Sequence, residues 1–424
     1  MKKFDIFKQI VYNGIMEKIT TAIIGGGAAG LLLATSLSSD LSSVTVFERG
    51  ERVGRKLSAT GNGQGNITNL GVNDGDYFSF SPRGNALAKR IIRRFDHRCL
   101  IEHFERAGLL LTADERGRVY PAGRQASALT DGLRFLAVER GVKLCVSTQI
   151  TDIVKQGDGF VLTAKTAEGE RKIYAETVVL CTGGKAAKNF GTDGSAYALA
   201  QKFGHTLTKL YPSLVQLKTE TAPIKTLKGI KVTDAEVTAK WQGGEKRLTG
   251  DILFTDYGVS GDAIFRLSAY LTAHLESGAS ISVDFLPAFS KEKIAAALLE
   301  KSKNFPNTPT VELLCGMVNN QLARAVMKRV NGDLTKAAHE VKNFSLQVLG
   351  SLGFDYAQVT KGGICIDEVD ENLQSKLVKG LYFAGETLDI DGECGGFNLQ
   401  WAYSSACIVA SAIEREKAKV RGQV

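Results

Sequence analysis

Apolar positions fall into three kinds of pattern along this chain of 424 residues. Short continuous runs that end in glycine read as buried parallel strands feeding a turn. Three occur: Ile19–Ile24 before Gly25, Thr177–Leu180 before Thr182-Gly183, and Leu381–Phe383 before Ala384-Gly385. A further apolar run, Val44–Phe47, ends in Glu48. Strands are also predicted at Lys143–Val146, Ile150–Val154, Phe160–Thr166 and Lys172–Tyr174, the last three as a small antiparallel meander. From about Thr206 to Phe285 the pattern becomes short alternating segments broken by turns, such as Leu214–Thr219, Val232–Trp241 and Ile281–Phe285. That spacing predicts a barrel or sandwich. Residues 290–342 are helical in pattern, interrupted at Pro306 and Pro309, after which Phe344–Leu349 and Ala357–Val359 return as strands. Asn398–Glu414 reads as a final helix.

The two ends of the chain therefore belong to one α/β fold, with a β-plus-helical segment inserted in it. The expected division is residues 19–205 and 359–424 for the split domain, 206–288 with 343–358 for a β-barrel, 289–342 for a helical cap, and 1–18 for an N-terminal extension. Leu31–Leu37 is helical in character and lies between the first two strands. Strand, glycine turn, helix, strand and acid make the βαβ unit that binds a dinucleotide. Gly25 permits the turn, Gly27 lets backbone approach a pyrophosphate, and Gly30 allows the helix to pack closely on the strand. Glu48 follows Gly30 by 18 residues and can take both ribose hydroxyls while repelling a 2′-phosphate. A glycine turn alone also occurs without a ligand; here its context argues for one.

Composition narrows the picture. Charged residues are 23% and hydrophobic residues 44% of the chain, ordinary globular values, but glycine is high at 45 residues and proline low at 7. Glycine without proline suits tight turns and backbone near a ligand rather than flexible linkers. Net charge is +8, from 53 basic and 45 acidic residues, and favours anionic ligands. The basic residues are spread out, so nucleic-acid binding is not expected. Lys89–Arg94 reads as the wet face of an amphipathic helix. Seven cysteines with no CxxC pair suggest reduced thiols. No membrane-length apolar stretch or signal-peptide core is present, so a cytoplasmic location is expected. His97, Cys99 and His103 lack an evident third ligand on one helix face, and no metal is expected.

The choice of dinucleotide follows from the other glycine turns. Thr182-Gly183 and Gly385-Glu386 lie about 200 residues apart, and a nicotinamide enzyme needs neither. Glu386 is placed for a flavin's ribitol chain, although it could simply cap its turn. In Gly392-Glu393-Cys394-Gly395-Gly396-Phe397-Asn398-Leu399-Gln400, glycines lead into a helix whose N-terminus would stabilise a reduced flavin ring. FAD is therefore favoured over NAD.

These residues resemble a family of three-domain FAD-binding flavoproteins whose members include aminoacetone oxidases. The likeness covers nearly the whole chain from residue 19. It rests on Gly25–Gly30, on Gly54–Asn69 (Gly-Arg-Lys-Leu-Ser-Ala-Thr-Gly-Asn-Gly-Gln-Gly-Asn-Ile-Thr-Asn), on Phe254–Gly261 and on Gly385–Gln400. It implies a Rossmann-like FAD-binding domain of the two-dinucleotide-strand type, carrying an inserted β-barrel and a helical subdomain. It also implies flavin contacts from Gly25, Gly27, Ala28, Ala29, Gly30, Glu48, Arg55, Lys56, Thr60, Asn62, Gly63, Gly65 and Asn66. Ile150, Thr182, Gly183, Gly385, Glu386, Gly396, Phe397, Asn398 and Leu399 complete that expected set. Much of the family has Arg-Cys where this chain has Gln64-Gly65, and His where it has Asp256. The Gln-Gly form is similar to the aminoacetone oxidase branch and removes a redox thiol.

The expected activity is FAD-dependent oxidation of a small molecule, a primary amine such as aminoacetone, with oxygen as acceptor and hydrogen peroxide as product. Asp256, Tyr257 and Arg124 are candidate substrate contacts, each equally a turn or surface residue, and no catalytic base can be read from spacing. Two alternatives stay open. One is a flavin reductase of an enone-type substrate fed by NAD(P)H; the other is a flavin-bearing RNA-interacting protein, suggested by the +8 charge.

Overall fold

A computed structural model describes residues 16–38, 43–73, 75–420 and 422; the N-terminal extension before residue 16 lies outside them. The chain divides into two compact units. The first joins residues up to 184, Phe190–Lys209 and Gly362 onward; the second joins Lys185–Asn189 and Leu210–Lys361. Among the described residues no helix is long and apolar enough to cross a membrane.

The first unit is a Rossmann-like FAD-binding fold. Its sheet runs Lys143–Cys145, Val44–Phe47, Glu17–Ile24, then Gly169–Leu180, all parallel. Beyond that strand the sheet forks. Val178–Leu180 pairs in parallel with Leu381–Phe383, while Gly169–Ala175 pairs antiparallel with Gly159–Thr166, which pairs in turn with Gln149–Gln156. The inner halves of the central strands are buried on both faces, Thr21–Ile24 and Thr177–Leu180 without a break, and there the sequence carries only apolar residues and threonine. One expectation needs correction here. Lys172–Tyr174 and Thr177–Leu180 are not separate strands, because Ile173, Ala175 and Thr177 keep facing inward and the strand runs unbroken from Gly169 to Leu180. The helix Ala28–Ser36 and the long helix Phe397–Val420 pack against each other on this sheet.

The second unit is built on a closed barrel of six strands. Around it lie Leu217–Thr219, Gly258–Ser260, Gly244–Phe254, Lys231–Trp241, Ala279–Asp284 and Phe344–Ser351, which closes back on the first. Ala235, Val237 and Ala239 alternate inward along one strand, as the period-2 pattern requires. Phe254, Phe285 and Phe344 pack together with ring centroids 5.4–6.3 Å apart. Helices Lys291–Asn304, Asn320–Arg329 and Leu334–Lys342 share this same apolar core, so barrel and helices form one unit, not two. The exchange points also sit slightly outside the expected residues. Thr206 and Thr208 hydrogen-bond Cys365 and Gly363, which keeps the chain in the first unit to Lys209. Val359–Lys361 pairs with Tyr211–Ser213 in the second.

Candidate dinucleotide site

The glycines of the first turn have three distinct surroundings. Gly25 has φ +106°, and a Cβ there would stand 2.5 Å from the Cys181 carbonyl oxygen, so only glycine fits between the first strand and the end of its neighbour. A Cβ on Gly30 would stand 1.9 Å from the Gly25 oxygen. Gly27 has nothing within 4 Å of its Cβ position, and it starts helix Ala28–Ser36 without any side-chain cap. An open, uncapped helix N-terminus offers amides and a positive dipole to an anion. The Glu48 carboxylate spans the same turn, accepting from Gly26 N at 2.9 Å and Gly50 N at 2.7 Å.

The second glycine-rich segment folds against that turn. Gly54 N donates to Gly26 O at 2.7 Å, and Arg55 lies beside Gly50 and Gly191. Lys56 Nζ meets Glu386 Oε2 at 2.8 Å, so two segments 330 residues apart in sequence are joined by one ion pair. Thr60 caps its own turn through the Leu57 carbonyl, and Asn62, Gly63 and Gly65 all have positive φ. Gly63 faces open space, whereas a Cβ on Gly65 would meet Ala126 Cα at 2.9 Å. Position 65 could therefore not take cysteine without displacing helix Ala126–Glu139. Asn66 is buried, and its amide nitrogen is taken by the Thr68 and Val119 carbonyls.

The third strand-turn brings its own glycines to the same place. Gly183 N donates to Thr387 Oγ1 at 3.1 Å, and Thr182 Oγ1 is 3.5 Å from that hydroxyl. Gly385 has φ +68° and sits against Ala29, and its oxygen accepts from Trp401 Nε1 at 3.1 Å. A Cβ on Gly396 would stand 2.3 Å from the Thr68 backbone. Phe397 packs on Gly75 and on the Tyr77 ring, with Leu399 half-buried beyond it. The Asn398 amide bridges Gly392 and Glu393, closing the loop that starts the last helix.

Residues from four distant parts of the sequence thus meet in one unit. Ile150 is buried where its strand bulges against Ala164, in the outer antiparallel arm of the same sheet. Arg124 belongs to this unit too, stacked 3.9 Å over the Tyr120 ring beside the Gly63–Gly65 turn. Asp256 and Tyr257 lie instead in the second unit, on the turn between two barrel strands. There Asp256 is exposed and ion-paired to Lys228 at 2.8 Å. The special residues of that motif are its glycines: a Cβ on Gly258 would stand 2.3 Å from Leu217 O, and one on Gly261 2.4 Å from Asp251 O. Thr387 was missed in the sequence; its only signal is the place directly after Gly385-Glu386.

Cys181 is fully enclosed under Gly25, and burial pushes its thiol far above the usual range. His103 is a core residue bonded to Thr35, and no group of three metal-ligating side chains occurs among the described residues.

A parallel sheet with an uncapped glycine-rich helix start, a carboxylate at the second strand end and a second strand-turn beside it defines a flavoprotein of the Rossmann class. The chain belongs to the HI0933-like protein Rossmann domain family, whose model matches residues 19–412. A 3-dehydro-bile acid delta(4,6)-reductase of Clostridium scindens is 34% identical over 92% of this chain and 98% of its own length. A ribosomal RNA dihydrouridine synthase of Haemophilus influenzae is 29% identical over 93% of this chain and 98% of its own. Among solved structures, a quinol-fumarate reductase shares the fold at TM-score 0.50 and 14% identity, covering 96% of this chain and 72% of that one. The family is one of flavin-dependent oxidoreductases; the aminoacetone oxidase branch is not singled out.

Proposed function

We propose that the protein binds FAD in its first unit and reduces a carbon–carbon double bond conjugated to a carbonyl in a small molecule, with NAD(P)H as electron donor. The observation that carries this is the whole-length similarity to the bile acid reductase. A 3-oxo compound unsaturated at positions 4 and 6 is a conjugated enone. The dihydrouridine relative bears on the same chemistry, since its product's name denotes a uracil ring saturated at one bond.

The residues present fit FAD. The uncapped helix start with open space at Gly27 suits the pyrophosphate, Glu48 the adenosine ribose, and Glu386 the ribityl chain. Bound FAD supplies two-electron chemistry, taking a hydride from a donor and giving it to an acceptor. The chain's part is placement. Lys56 fixes the Glu386 carboxylate, Asn398 holds the loop at the start of the last helix, and the amides of that helix favour negative charge. Arg124, stacked on Tyr120, is a cation at the edge of the Gly63 turn and would orient an anionic or carbonyl group.

Amine oxidation rests on Gln64-Gly65 alone and is an outcome of the same test. RNA as substrate is the third. Against it, Lys228, Lys231, Lys240, Arg247 and Arg266 of the second unit each face a carboxylate. The experiment is anaerobic mixing of the flavin-loaded protein with NAD(P)H, or with candidate amines, while flavin absorbance is followed. Fast bleaching by NAD(P)H and reoxidation by a conjugated enone is the expected result. Bleaching by amines at a rate that climbs as the pH nears the amine's pKa, with peroxide released in oxygen, would replace this reading. Uptake of reducing equivalents only in the presence of RNA would favour the third.

A further inference from the structure

The side chain of His205 is closed to solvent, yet both of its ring nitrogens are engaged. Nδ1 lies 3.1 Å from Glu368 Oε2, and Nε2 lies 2.8 Å from Ser375 Oγ. Their protons follow from the capacity of the hydroxyl. Ser375 Oγ already accepts from Leu377 N at 3.1 Å and from Val378 N at 2.9 Å, which fills both of its lone pairs. Its own proton therefore goes to Nε2, and the ring proton sits on Nδ1 and is donated to the Glu368 carboxylate. Serine, histidine and glutamate are connected as in a hydrolytic triad, but a serine oxygen with no free lone pair is no nucleophile. The network is a clasp instead. Glu368 Oε2 also accepts from Thr206 N at 2.8 Å, and Glu368 O accepts from Lys376 N at 2.9 Å.

The clasp closes on the last strand of the sheet. Ser375 N donates to Leu381 O at 2.8 Å and Phe383 N to Leu373 O at 3.1 Å, so the loop before Leu381–Phe383 folds back on that strand. The Phe383 ring stands edge-on to His205 at 4.8 Å, and the Gly385–Thr387 turn begins two residues further on. A second proton on the imidazole has no place here. It would sit on Nε2, point at an oxygen whose lone pairs are taken, and leave the Ser375 proton without an acceptor. On the surrounding elements Lys202 is paired with Asp152, Asp367 takes the Ser81 hydroxyl, Lys376 bonds Asp367 O, and Asp370 and Glu416 face Tyr382. Among the described residues, Glu368 is the charged group that faces the ring. Burial takes the imidazole below the usual histidine range, and Glu368 offsets this only in part. The hold is therefore complete above that range and is lost as pH falls through the lowered value.

We propose that Glu368, His205 and Ser375 form a pH-sensitive latch: the neutral imidazole holds residues 370–378 on the last strand, and a second proton frees them, releases Phe383 and loosens the Gly385–Glu386 turn, so that acid weakens the hold on FAD. The last clause rests on the proposal that the first unit binds FAD; the latch itself does not.

Only the closed form is competent, so FAD affinity should be flat at neutral pH and fall by up to about tenfold per pH unit on the acid side. The experiment titrates the full flavin-free chain with FAD from neutral pH to well below ~6.5, where exposed histidine gains its proton. Hydrogen exchange of residues 370–383 is followed in the same samples and should quicken with the same midpoint. Two variants should move that midpoint in opposite directions. Glu368→Gln keeps an acceptor for Nδ1 and Thr206 N but removes the charge that favours protonation, so the acid limb should shift to lower pH. Ser375→Ala removes the donor that favours the neutral ring, so the limb should shift to higher pH. An acid limb that stays in place in both variants, or one with no loss of protection in residues 370–383, would overturn the latch. If Ser375→Ala does not fold, Glu368→Gln decides alone. A full chain that binds no FAD would refute the proposal beneath it, and exchange against pH would still decide the latch.

Discussion

Acid should loosen the dinucleotide helix from its buried side. His103 is 5% exposed, and its Nε2 lies 2.8 Å from Thr35 Oγ1, within helix Ala28–Ser36. The Tyr403 ring stands edge-on to the imidazole at 5.4 Å. Burial first, then the positive charges of Arg106 and Arg140, push the imidazole down to about 4. An exposed histidine titrates near ~6.5, so between those values the unfolded chain carries a proton that the folded chain refuses. Stability therefore rises with pH across this window; the contribution is complete above about 6.5 and is lost as pH falls towards 4. At ~1.36 kcal/mol per unit, the window is worth about 3 kcal/mol. Trp401 is buried in this unit and Trp241 lies in the other, and the chain has only 2 tryptophans. Trp241→Phe thus makes Trp401 fluorescence a reporter of the first unit alone. In that background, urea unfolding of the native-His103 protein and of His103→Gln should be compared from pH 7.5 down to 4, with the native-His103 protein losing about 3 kcal/mol more. A gap that stays constant over that range would show that His103 is not held neutral in the fold.

Glu48→Ala should lower FAD affinity about 10- to 150-fold, the scale of a charge-assisted hydrogen bond. It should also lower the melting temperature of the flavin-free chain, because Gly26 N and Gly50 N lose their acceptor; a change in affinity alone would mean the two amides find water. Gly396→Ala should cut the flavin-to-protein absorbance ratio and destabilise the chain, since φ is +104° and the new methyl meets the Thr68 backbone. Wild-type flavin content in that variant would remove the argument from close approach. Asp256→Asn should leave the melting temperature unchanged, as its ion pair is exposed, and should alter turnover more than FAD content. Unaltered kinetics would take Asp256 out of the reaction.

The fold's inner strands were legible because burial on both faces favours β-branched and apolar residues in succession: Val44–Phe47, with Thr45 buried among its apolar neighbours, begins and ends where its sequence pattern does. The pattern misled where one strand serves two roles. Gly169–Leu180 is half solvent-edged and half central, so its alternation and its apolar run look like two elements. Glycines at Gly25, Gly30 and Gly396 were readable because their spacing encodes close approach. Ser375 and Thr387 were not. A single buried hydroxyl in a loop or turn carries no periodicity, and only the fold reveals which partners it has. Asn66 and Asn398 stand between these cases: their motif is visible, but their amides hold loops together.

The forked strand also sets a timetable for synthesis. Leu180 leaves the ribosome long before Phe383, the residue beside it in the finished sheet. At about 5–20 residues per second, the 202 residues between Val178 and Leu381 take roughly 10–40 s to make. During that interval the nascent sheet has an open parallel edge, and the turn that follows the missing strand does not yet exist. The barrel unit is completed inside the same gap, so it can fold while the older unit waits. The strand pairing of the first unit is therefore completed last, when Leu381–Phe383 docks, and a chain stalled in the gap would present an apolar edge to chaperones.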